Sequence, residues 1–362
     1  MRQTTPTTVL PAILFLACAL PLLLACAGGS SSSDDPANDP AVAALAERAR
    51  TTFGPLPEEV PNPDNVATAS KIDLGRMLYY DPRLSKNHDV SCNSCHRLDA
   101  FGVDNEPTSP GHRGLRGDRN SPTVYNAALH MAQFWDGRAV DVEEQAKGPI
   151  LNPVEMASRD EASVVQVLES IPGYVTLFEK AFREDSDPVT YENMARAIGA
   201  FERRLMTPSR FDDFMQGDLG ALDAEERKGL ETFLAVGCHT CHTGPALGGR
   251  LYRKIGFIFP YETEDIGREK LTDDPIDRYV FKVPSLRNVA KTGPYLHDGS
   301  IVELREMVRL MGYHQLGLEL SDDQVDSIVI FLGTLTGRPD ADYVARPELP
   351  ESGSTTPGPD PS

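Results

Sequence analysis

The sequence has few cysteines, a single tryptophan, few basic residues and almost no alternating strand pattern. Two of its six cysteines lie in or beside the N-terminal apolar segment, and the other four form two close pairs. Apart from these two close pairs and the N-terminal segment, no two cysteines remain that could form a disulfide or a separate metal site. The formal charge of −19 argues against nucleic acid as a partner. The missing period-two alternation predicts a mainly α fold.

Two Cys-x-x-Cys-His runs contain the paired cysteines: Cys92, Cys95 and His96 in the first, and Cys238, Cys241 and His242 in the second. This is the spacing for haem c, in which two thioethers hold the porphyrin and the histidine ligates the iron. A Cys-x-x-Cys pair alone also fits a redox dithiol or half of a zinc site. The adjoining histidine, present twice, favours two covalently bound haem c groups.

An apolar stretch from Val9 to Ala25 follows Arg2 and is typical of a cleaved signal rather than a membrane anchor. Its end has two interpretations. Leu23 to Cys26 resembles a bacterial lipobox, which would make Cys26 an acylated N-terminal residue; Ala25-Cys26-Ala27 would instead release a soluble protein. We favour the lipoprotein because a Ser/Asp tract follows, and Ala27 after the cysteine points to the outer membrane. Both interpretations place the protein in the periplasm, and only the lipoprotein would contact the membrane, through its lipid anchor.

Composition and helical periodicity divide the chain into five parts. Capping boxes at Asp223 with Glu226 and at Ser321 with Gln324 predict helix starts, and Ser300 with Glu303 predicts a helix that ends at Gly312. The predicted parts are a lipoprotein-type signal peptide (1–25), a flexible tether (26–60), an N-terminal haem domain (61–215), a C-terminal haem domain (216–340) and a disordered tail (341–362).

Each iron has a sixth position whose occupant decides between electron transfer and chemistry. For the first haem, His112 lies in a loop bracketed by glycines, which can present a side chain and also withdraw it. For the second haem, Met311 and Met307 share a helix face and His314 follows closely. The residues alone do not choose among these three.

Six runs, the first of which contains the first haem motif, follow one another in a fixed order along the chain. Together they resemble the bacterial di-haem cytochrome c peroxidase family from about Asn62 to Gly337. The runs are Ser91 to His96, Gly117 to Thr123, Gln133 to Arg138, Gln145 to Pro149, Pro153 to Met156, and Gly293 to Gly299.

The resemblance implies two cytochrome c-like haem domains packed around an interdomain interface, with different tasks. It places the labile ligand of a peroxidatic first haem on His112 and the methionine ligand of a high-potential second haem on Met311. Methionine ligation raises a haem's potential, so electrons would enter at the second haem and peroxide would be cleaved at the first.

The resemblance also assigns roles around the first haem. It places the two distal-pocket residues on Gln145 and Glu155. Because a carboxylate can carry a proton and an amide can only orient partners, we expect Glu155 to be the acid/base and Gln145 the positioning residue. Trp135 matches the aromatic residue between the haems and is expected to aid electron passage.

The resemblance further implies a calcium ion at the domain interface. Its ligands would come from Asn120, Thr292 and Pro294, with several waters, a hard-oxygen set that suits Ca²⁺. His297 is expected near the second haem, bonding a propionate. A homodimer is implied as common in the family.

The implied activity is reduction of hydrogen peroxide to water with electrons from a small periplasmic cytochrome c or cupredoxin. One rival is a di-haem enzyme that oxidises a protein substrate, in which tyrosine replaces the methionine ligand. Another is a di-haem electron carrier without catalysis, which would need neither Glu155 nor a displaceable His112.

Overall fold

The computed structural model describes residues 39–362, and these are mainly helical. Its two short strands, β1 (Tyr252–Lys254) and β2 (Val280–Lys282), pair antiparallel with Tyr252 opposite Lys282. The predicted mainly α class is therefore confirmed. The helices are α1 (Pro40–Phe53), α2 (Ala69–Tyr80), α3 (Cys92–Cys95), α4 (Val142–Leu151), α5 (Glu161–Glu169), α6 (Pro172–Ala181), α7 (Tyr191–Glu202), α8 (Arg210–Met215), α9 (Ala224–Val236), α10 (Glu269–Thr272), α11 (Leu304–Leu316), α12 (Asp322–Thr334) and α13 (Ala341–Val344).

The first hydrophobic core is built around the crossing of α2 and α7 and draws its buried residues from positions 72–205. The two helices come very close because Gly75 has no side chain: a Cβ there would lie 1.9 Å from the carbonyl oxygen of Ala197. Leu74, Leu78 and Phe201 are fully buried at this crossing. The core supports the first Cys-x-x-Cys-His motif, since Cys92 packs against it.

The second hydrophobic core repeats this arrangement with α9 and α12. A Cβ on Gly229 would lie 2.1 Å from the carbonyl oxygen of Ser327, so this crossing is equally close. Phe331 packs against Phe211 and Phe233 with ring centroids 5.3 and 5.2 Å apart. Two cores suit two haem units, but residues 39–362 form one compact unit, and the domain boundaries stay a prediction.

The prediction of a flexible tether up to residue 60 is wrong for residues 40–53, which form α1. Asp39 caps the helix by accepting a hydrogen bond from Ala41 N (2.8 Å), and Pro40 occupies its first turn. Leu45, Ala46, Ala49 and Phe53 form a helical stripe that is buried in the second core. The Pro-rich, small-residue composition of the surrounding segment hid this stripe. The predicted signal peptide and Cys26 lie outside the described residues.

The prediction of a disordered tail from residue 341 is also wrong. Tyr343 in α13 stacks on Phe201 (5.1 Å) and donates a hydrogen bond to its carbonyl oxygen (2.8 Å). Further along, Arg83 donates to the carbonyl oxygen of Pro350 (2.9 Å), and Asp360 N donates to the carbonyl oxygen of Lys86 (3.0 Å). The tail has little regular structure, and side chains of the first half of the chain hold it in place.

Two predicted helix starts are confirmed, whereas the capping box predicted at Ser300 with Glu303 and the helix end predicted at Gly312 are wrong. The capping boxes of α9 and α12 form as expected, with Asp223 and Ser321 as caps. Helix α11 begins at Leu304 without a side-chain cap and continues through Gly312 to Leu316, where Gly317 (φ 69°) ends it. Met311 therefore lies inside the helix. No helix in residues 39–362 has the length and apolar character that a membrane crossing requires.

Candidate haem sites

The first Cys-x-x-Cys-His motif begins with the single turn α3. Ser91 and Ser94 form a capping box at its start, and Tyr79 Oη donates a hydrogen bond to the carbonyl oxygen of His96 (2.6 Å). The Nδ1 atom of His96 is buried and has no hydrogen-bond partner among the described residues. The motif is thus fixed through its backbone, and the Nδ1 atom of its imidazole is not held by another side chain or backbone group.

The second motif follows directly on α9, which ends at Gly237 in a left-handed conformation (φ 96°). His242 Nδ1 lies 3.2 Å from the carbonyl oxygen of Leu247, the geometry of an N–H donor. That hydrogen bond leaves Nε2 as the ring atom available to a metal. A cavity adjoins this motif, and we call it the second cavity. Its lining includes Cys238, Cys241, His242 and Met311.

The protonation chemistry of these residues fits haem attachment better than dithiol or zinc chemistry. Burial raises the pKa of Cys95 to about 11 and that of Cys238 to about 12, whereas redox dithiols have lowered values. Burial lowers the pKa of His242 to about 4, which keeps its imidazole neutral at pH 7. In residues 39–362 no three His, Cys, Asp or Glu side chains converge as further ligands for zinc.

The structure brings His112 and Glu155 together, as a shared site requires. His112 N donates to the carbonyl oxygen of Glu155 (2.7 Å), and a Cβ on Gly111 would lie 2.1 Å from the carbonyl oxygen of Val154. Only glycine, which has no Cβ, allows the His112 loop to pack this closely against the backbone of Val154. The His112 ring is buried; its Nδ1 has no partner among the described residues, and its Nε2 lies 3.4 Å from the backbone oxygen of Ser362.

The Glu155 carboxyl group is held at one oxygen by a hydrogen bond from Asn152 Nδ2 (2.7 Å). Burial raises its pKa above the usual value, against the opposing charge of Arg138 and the Asn152 hydrogen bond. Its charge also contributes to the raised pKa of Cys95, which places it within electrostatic range of the first motif. A carboxyl group in this position can accept and return a proton.

Gln145 lies in α4 and is partly buried, but its side chain makes no hydrogen bond within residues 39–362. Its predicted cooperation with Glu155 stays a prediction.

For the second iron, the structure separates the three candidate ligands. Met307 and Met311 both line the cavity that contains His242. His314 does not line it, and its Nδ1 lies 2.9 Å from the carbonyl oxygen of Phe259. The choice between the two methionines still rests on the family resemblance, which points to Met311.

Trp135, His297 and Asn120 lie together beside the second cavity. Trp135 Nε1 donates to the carbonyl oxygen of Asn120 (2.9 Å), and its ring lies edge-to-face with His297 at 6.5 Å. His297 is buried, stacks on Phe281 (4.3 Å), and its Nε2 lies 3.0 Å from Thr263 Oγ1. A propionate bond from His297 stays a prediction, and it would use the other ring nitrogen.

The three predicted calcium ligands also line this cavity. Asn120 Nδ2 donates to the backbone oxygens of Glu106 (3.0 Å) and Pro107 (3.3 Å), so its Oδ1 atom points elsewhere. Thr292 and Pro294 are in the same lining. The presence of all three residues in one cavity lining is compatible with an oxygen-ligated cation, and calcium stays a prediction.

Sequence reasoning missed a buried charge cluster that joins the segment around Trp135 to the second half of the chain. Arg119 donates to Asp136 (2.6 Å) and to Asp265 (2.6 Å). Arg268 donates to the carbonyl oxygen of Asp136 (2.7 Å), and Lys282 N donates to that of Trp135 (2.7 Å). The cluster fixes the position of Trp135. Isolated charges in the sequence give no signal for it.

Comparison with known proteins identifies relatives of this chain. The family model described as di-haem cytochrome c peroxidase matches residues 69–220. The chain is 47% identical to cytochrome c551 peroxidase of Pseudomonas aeruginosa, covering 87% of this chain and 92% of that protein. It is also 47% identical to cytochrome c551 peroxidase of Nitrosomonas europaea, covering 83% and 89%.

A solved structure shares the fold. It is a MauG-like protein associated with microbial copper homeostasis, which is 29% identical and covers 81% of this chain and 97% of its own, with a TM-score of 0.71. Sequence, motif order and fold lead to one assignment: the chain belongs to the di-haem cytochrome c peroxidase family.

Proposed function

We propose that this protein reduces hydrogen peroxide to water with electrons from a small cytochrome c or cupredoxin. Its relatives are named cytochrome c551 peroxidase, which supports an enzyme with peroxidase activity and two haem c groups. The observation that carries the proposal is the contact between the His112 loop and Glu155 beside the first motif. This contact supports a site at which His112 would act as a displaceable ligand and Glu155 as a proton carrier.

The haem groups supply the electron storage and the iron at which peroxide binds; the residues of this chain supply proton transfer and access. Glu155 would carry a proton from one peroxide oxygen to the leaving oxygen, which departs as water, and the haem groups would supply the two electrons that reduce the remaining oxygen. The His112 loop would close the first site, and its withdrawal would open that site to peroxide. Gln145 orients the reactants by hydrogen bonding.

The second haem would be the entry point for electrons, because an exposed apolar patch adjoins the cavity of the second motif. We define the donor patch as Phe257, Ile258, Phe259, Tyr313 and Leu318, which are each at least 40% exposed. Phe259 stacks on Tyr313 (4.7 Å), and Ile258 N donates to the carbonyl oxygen of His314 (2.9 Å). Tyr313 belongs to helix α11, and the cavity lining includes Met311, Gln315 and Leu316 of that helix. Exposed apolar patches of this kind commonly bind partners.

Phe257→Asp should raise KM for the reduced donor protein about tenfold or more, because a charge in a desolvated contact costs at least 1–2 kcal/mol. The turnover number at saturating donor and the spectrum of the second haem should stay unchanged. Steady-state kinetics with reduced cytochrome c measures this effect. Ile276→Asp, at another exposed apolar residue, is the matched control. An unchanged KM for Phe257→Asp would place the donor elsewhere.

Calcium at Asn120, Thr292 and Pro294 is proposed to hold the segments on either side of the second cavity in register. Removing it with a chelator should slow reductive activation of the enzyme and lower activity severalfold, and added Ca²⁺ should restore both. Isothermal titration of the chelated protein measures the ion directly. Absence of Ca²⁺ binding, or full activity without the ion, would contradict this site.

Two rival functions remain distinguishable. An enzyme of the protein-oxidising branch would carry tyrosine where this chain has Met311, and an electron carrier would have no use for Glu155. Turnover of peroxide with a reduced cytochrome separates the peroxidase from both.

We further propose export to the periplasm with a lipid on Cys26, supported by the lipobox-like end of the apolar segment. A homodimer is proposed from the family resemblance alone.

A further inference from the structure

An internal repeat surrounds the second cavity: residues 120–151 share a series of backbone features with residues 282–313, where position 126 corresponds to 288, a difference of 162. The repeat is visible in backbone features more than in sequence. The shared features are the left-handed residues Asn126 and Asn288, Phe134 and Leu296, and Gly137 and Gly299, the bridges Gln133–Ala139 and Tyr295–Ile301, and the helices α4 and α11, which begin at Val142 and Leu304.

The repeat relates the predicted calcium site to a pair of side chains. Asn120 corresponds to Lys282, and Thr292 corresponds to His130. The predicted calcium ion would join the Asn120 side chain to the Thr292 backbone. At the related positions, Lys282 Nζ and His130 Nδ1 lie 2.9 Å apart. A cationic side chain therefore stands at the position that the repeat relates to a predicted cation site.

Lys282 is buried and has no acidic side chain in direct contact. Its residue is 6% exposed, and it forms no salt bridge within residues 39–362. An ammonium group has three donors, and His130 Nδ1 accepts only one of them. Burial lowers the pKa of Lys282 to about 8, while Asp136 opposes that shift, so the group is still largely protonated at pH 7. A buried charge of this kind is costly unless it is paired.

The Nε2–H group of His130 is a second hydrogen-bond donor without a partner. Because Lys282 donates to Nδ1, the proton of the neutral ring lies on Nε2, and that atom is buried with no hydrogen bond within the described residues. Gly249 makes room for the ring: a Cβ there would lie 2.1 Å from His130 Cδ2. The pair thus presents several donors and no acceptor, which selects for an anion.

Lys282 and His130 line the same cavity as Cys238, Cys241 and His242, the three residues of the second attachment motif. A haem bound there brings two carboxylates, its propionates, into a mostly apolar space. We propose that the Lys282 ammonium, held by His130, is a built-in cation that pairs with a propionate of the second haem. The proposal rests on two bound haems, and neither peroxidase activity nor calcium is needed for it.

A fixed positive charge beside the second haem has a measurable consequence. Reduction of the iron removes one positive charge from the haem, so a nearby cation stabilises the reduced form relative to the oxidised form. Lys282 therefore contributes to the high potential that makes this haem the electron store. Together with methionine ligation, it sets the difference between the two haems.

Lys282→Met should lower the ratio of reduced to oxidised second haem about tenfold at an applied potential equal to the wild-type midpoint, which corresponds to about 59 mV for a one-electron couple. Lys282→Arg should retain most of the wild-type ratio. A spectroelectrochemical titration of the haem-loaded protein measures both. Lys254→Met, at an exposed residue of the paired strand β1, is the matched control and should leave the ratio unchanged.

A change below twofold in Lys282→Met, with both haems attached and the thermal unfolding midpoint preserved, would overturn the proposal. Should that variant fail to fold or to retain haem, a crystal structure of the haem-loaded wild-type protein decides. A propionate oxygen within about 3.2 Å of Lys282 Nζ supports the pairing, and a longer separation refutes it. Neither measurement uses peroxide, so failure of the peroxidase proposal would be seen separately.

Discussion

Glu155→Gln should lower kcat for peroxide reduction by about 10²–10⁴-fold, the range for loss of a positioned acid/base. The amide keeps the size of the side chain and can still contact Asn152, but it cannot accept and return a proton. Stopped-flow measurement of peroxide reduction by the prereduced enzyme tests this step directly. Glu161→Gln, at an exposed glutamate early in α5, is the matched control and should leave kcat unchanged.

The pH profile gives the same prediction a second readout. Burial raises the pKa of Glu155 above its usual value, so the carboxylate is lost at a higher pH than for an exposed glutamate. Wild-type activity should fall as the pH drops through that raised pKa, because a protonated Glu155 cannot accept the peroxide proton. The residual activity of Glu155→Gln should lack this acid limb.

The Glu155→Gln substitution should leave the stability of the folded protein unchanged or raise it, although it lowers activity. A carboxyl group with a raised folded-state pKa binds its proton more tightly when the protein is folded, so it lowers stability as the pH rises past its unfolded pKa. At pH 7 the buried Glu155 charge is therefore a cost that glutamine removes. Glu155→Gln should unfold at the same temperature as wild type or higher. A variant that loses activity through misfolding would unfold at a lower temperature, and one that keeps full activity would remove Glu155 from the mechanism.

The attachment sites and helix content were accessible to sequence reasoning because they depend on local signals. The Cys-x-x-Cys-His spacing is a property of five consecutive residues, and the capping boxes at Asp223 and Ser321 join groups three residues apart. The roles of His112, Glu155 and Met311 came from the family resemblance instead. The structure places the first two together and the third in the second cavity, which is compatible with those roles.

The missed features depend on contacts between distant parts of the chain. Helix α1 is stabilised by Phe211, more than 150 positions after Phe53, so its small-residue sequence looked like a linker. Gly312 looked like a helix end because only the residues beyond it, up to Gly317, show that α11 continues. Lys282 and His130 share no sequence pattern at all. Their relation to Asn120 and Thr292 appears only when the repeated backbone conformations are compared.

His112→Gly should make the fully oxidised enzyme react with peroxide without prior reduction. If the closed loop outweighs the open one by about 99 to 1, its removal should raise the initial rate of the oxidised enzyme about 100-fold. The substitution is well suited to this position. His112 contacts Glu155 through its backbone N–H, which glycine keeps, and only the imidazole is lost.

Spectra and a second variant separate this gating from simple loosening of the loop. The first haem of oxidised His112→Gly should lose its sixth ligand, and His112→Ala should behave alike although it adds no backbone freedom. His88→Gly is the matched control, because His88 already has φ 54° and tolerates glycine; it should still require reductive activation. A six-coordinate first haem in His112→Gly, or a lag that persists before turnover, would show that another group closes the site and that the loop at Gly111 to Gly114 serves only to position Glu155.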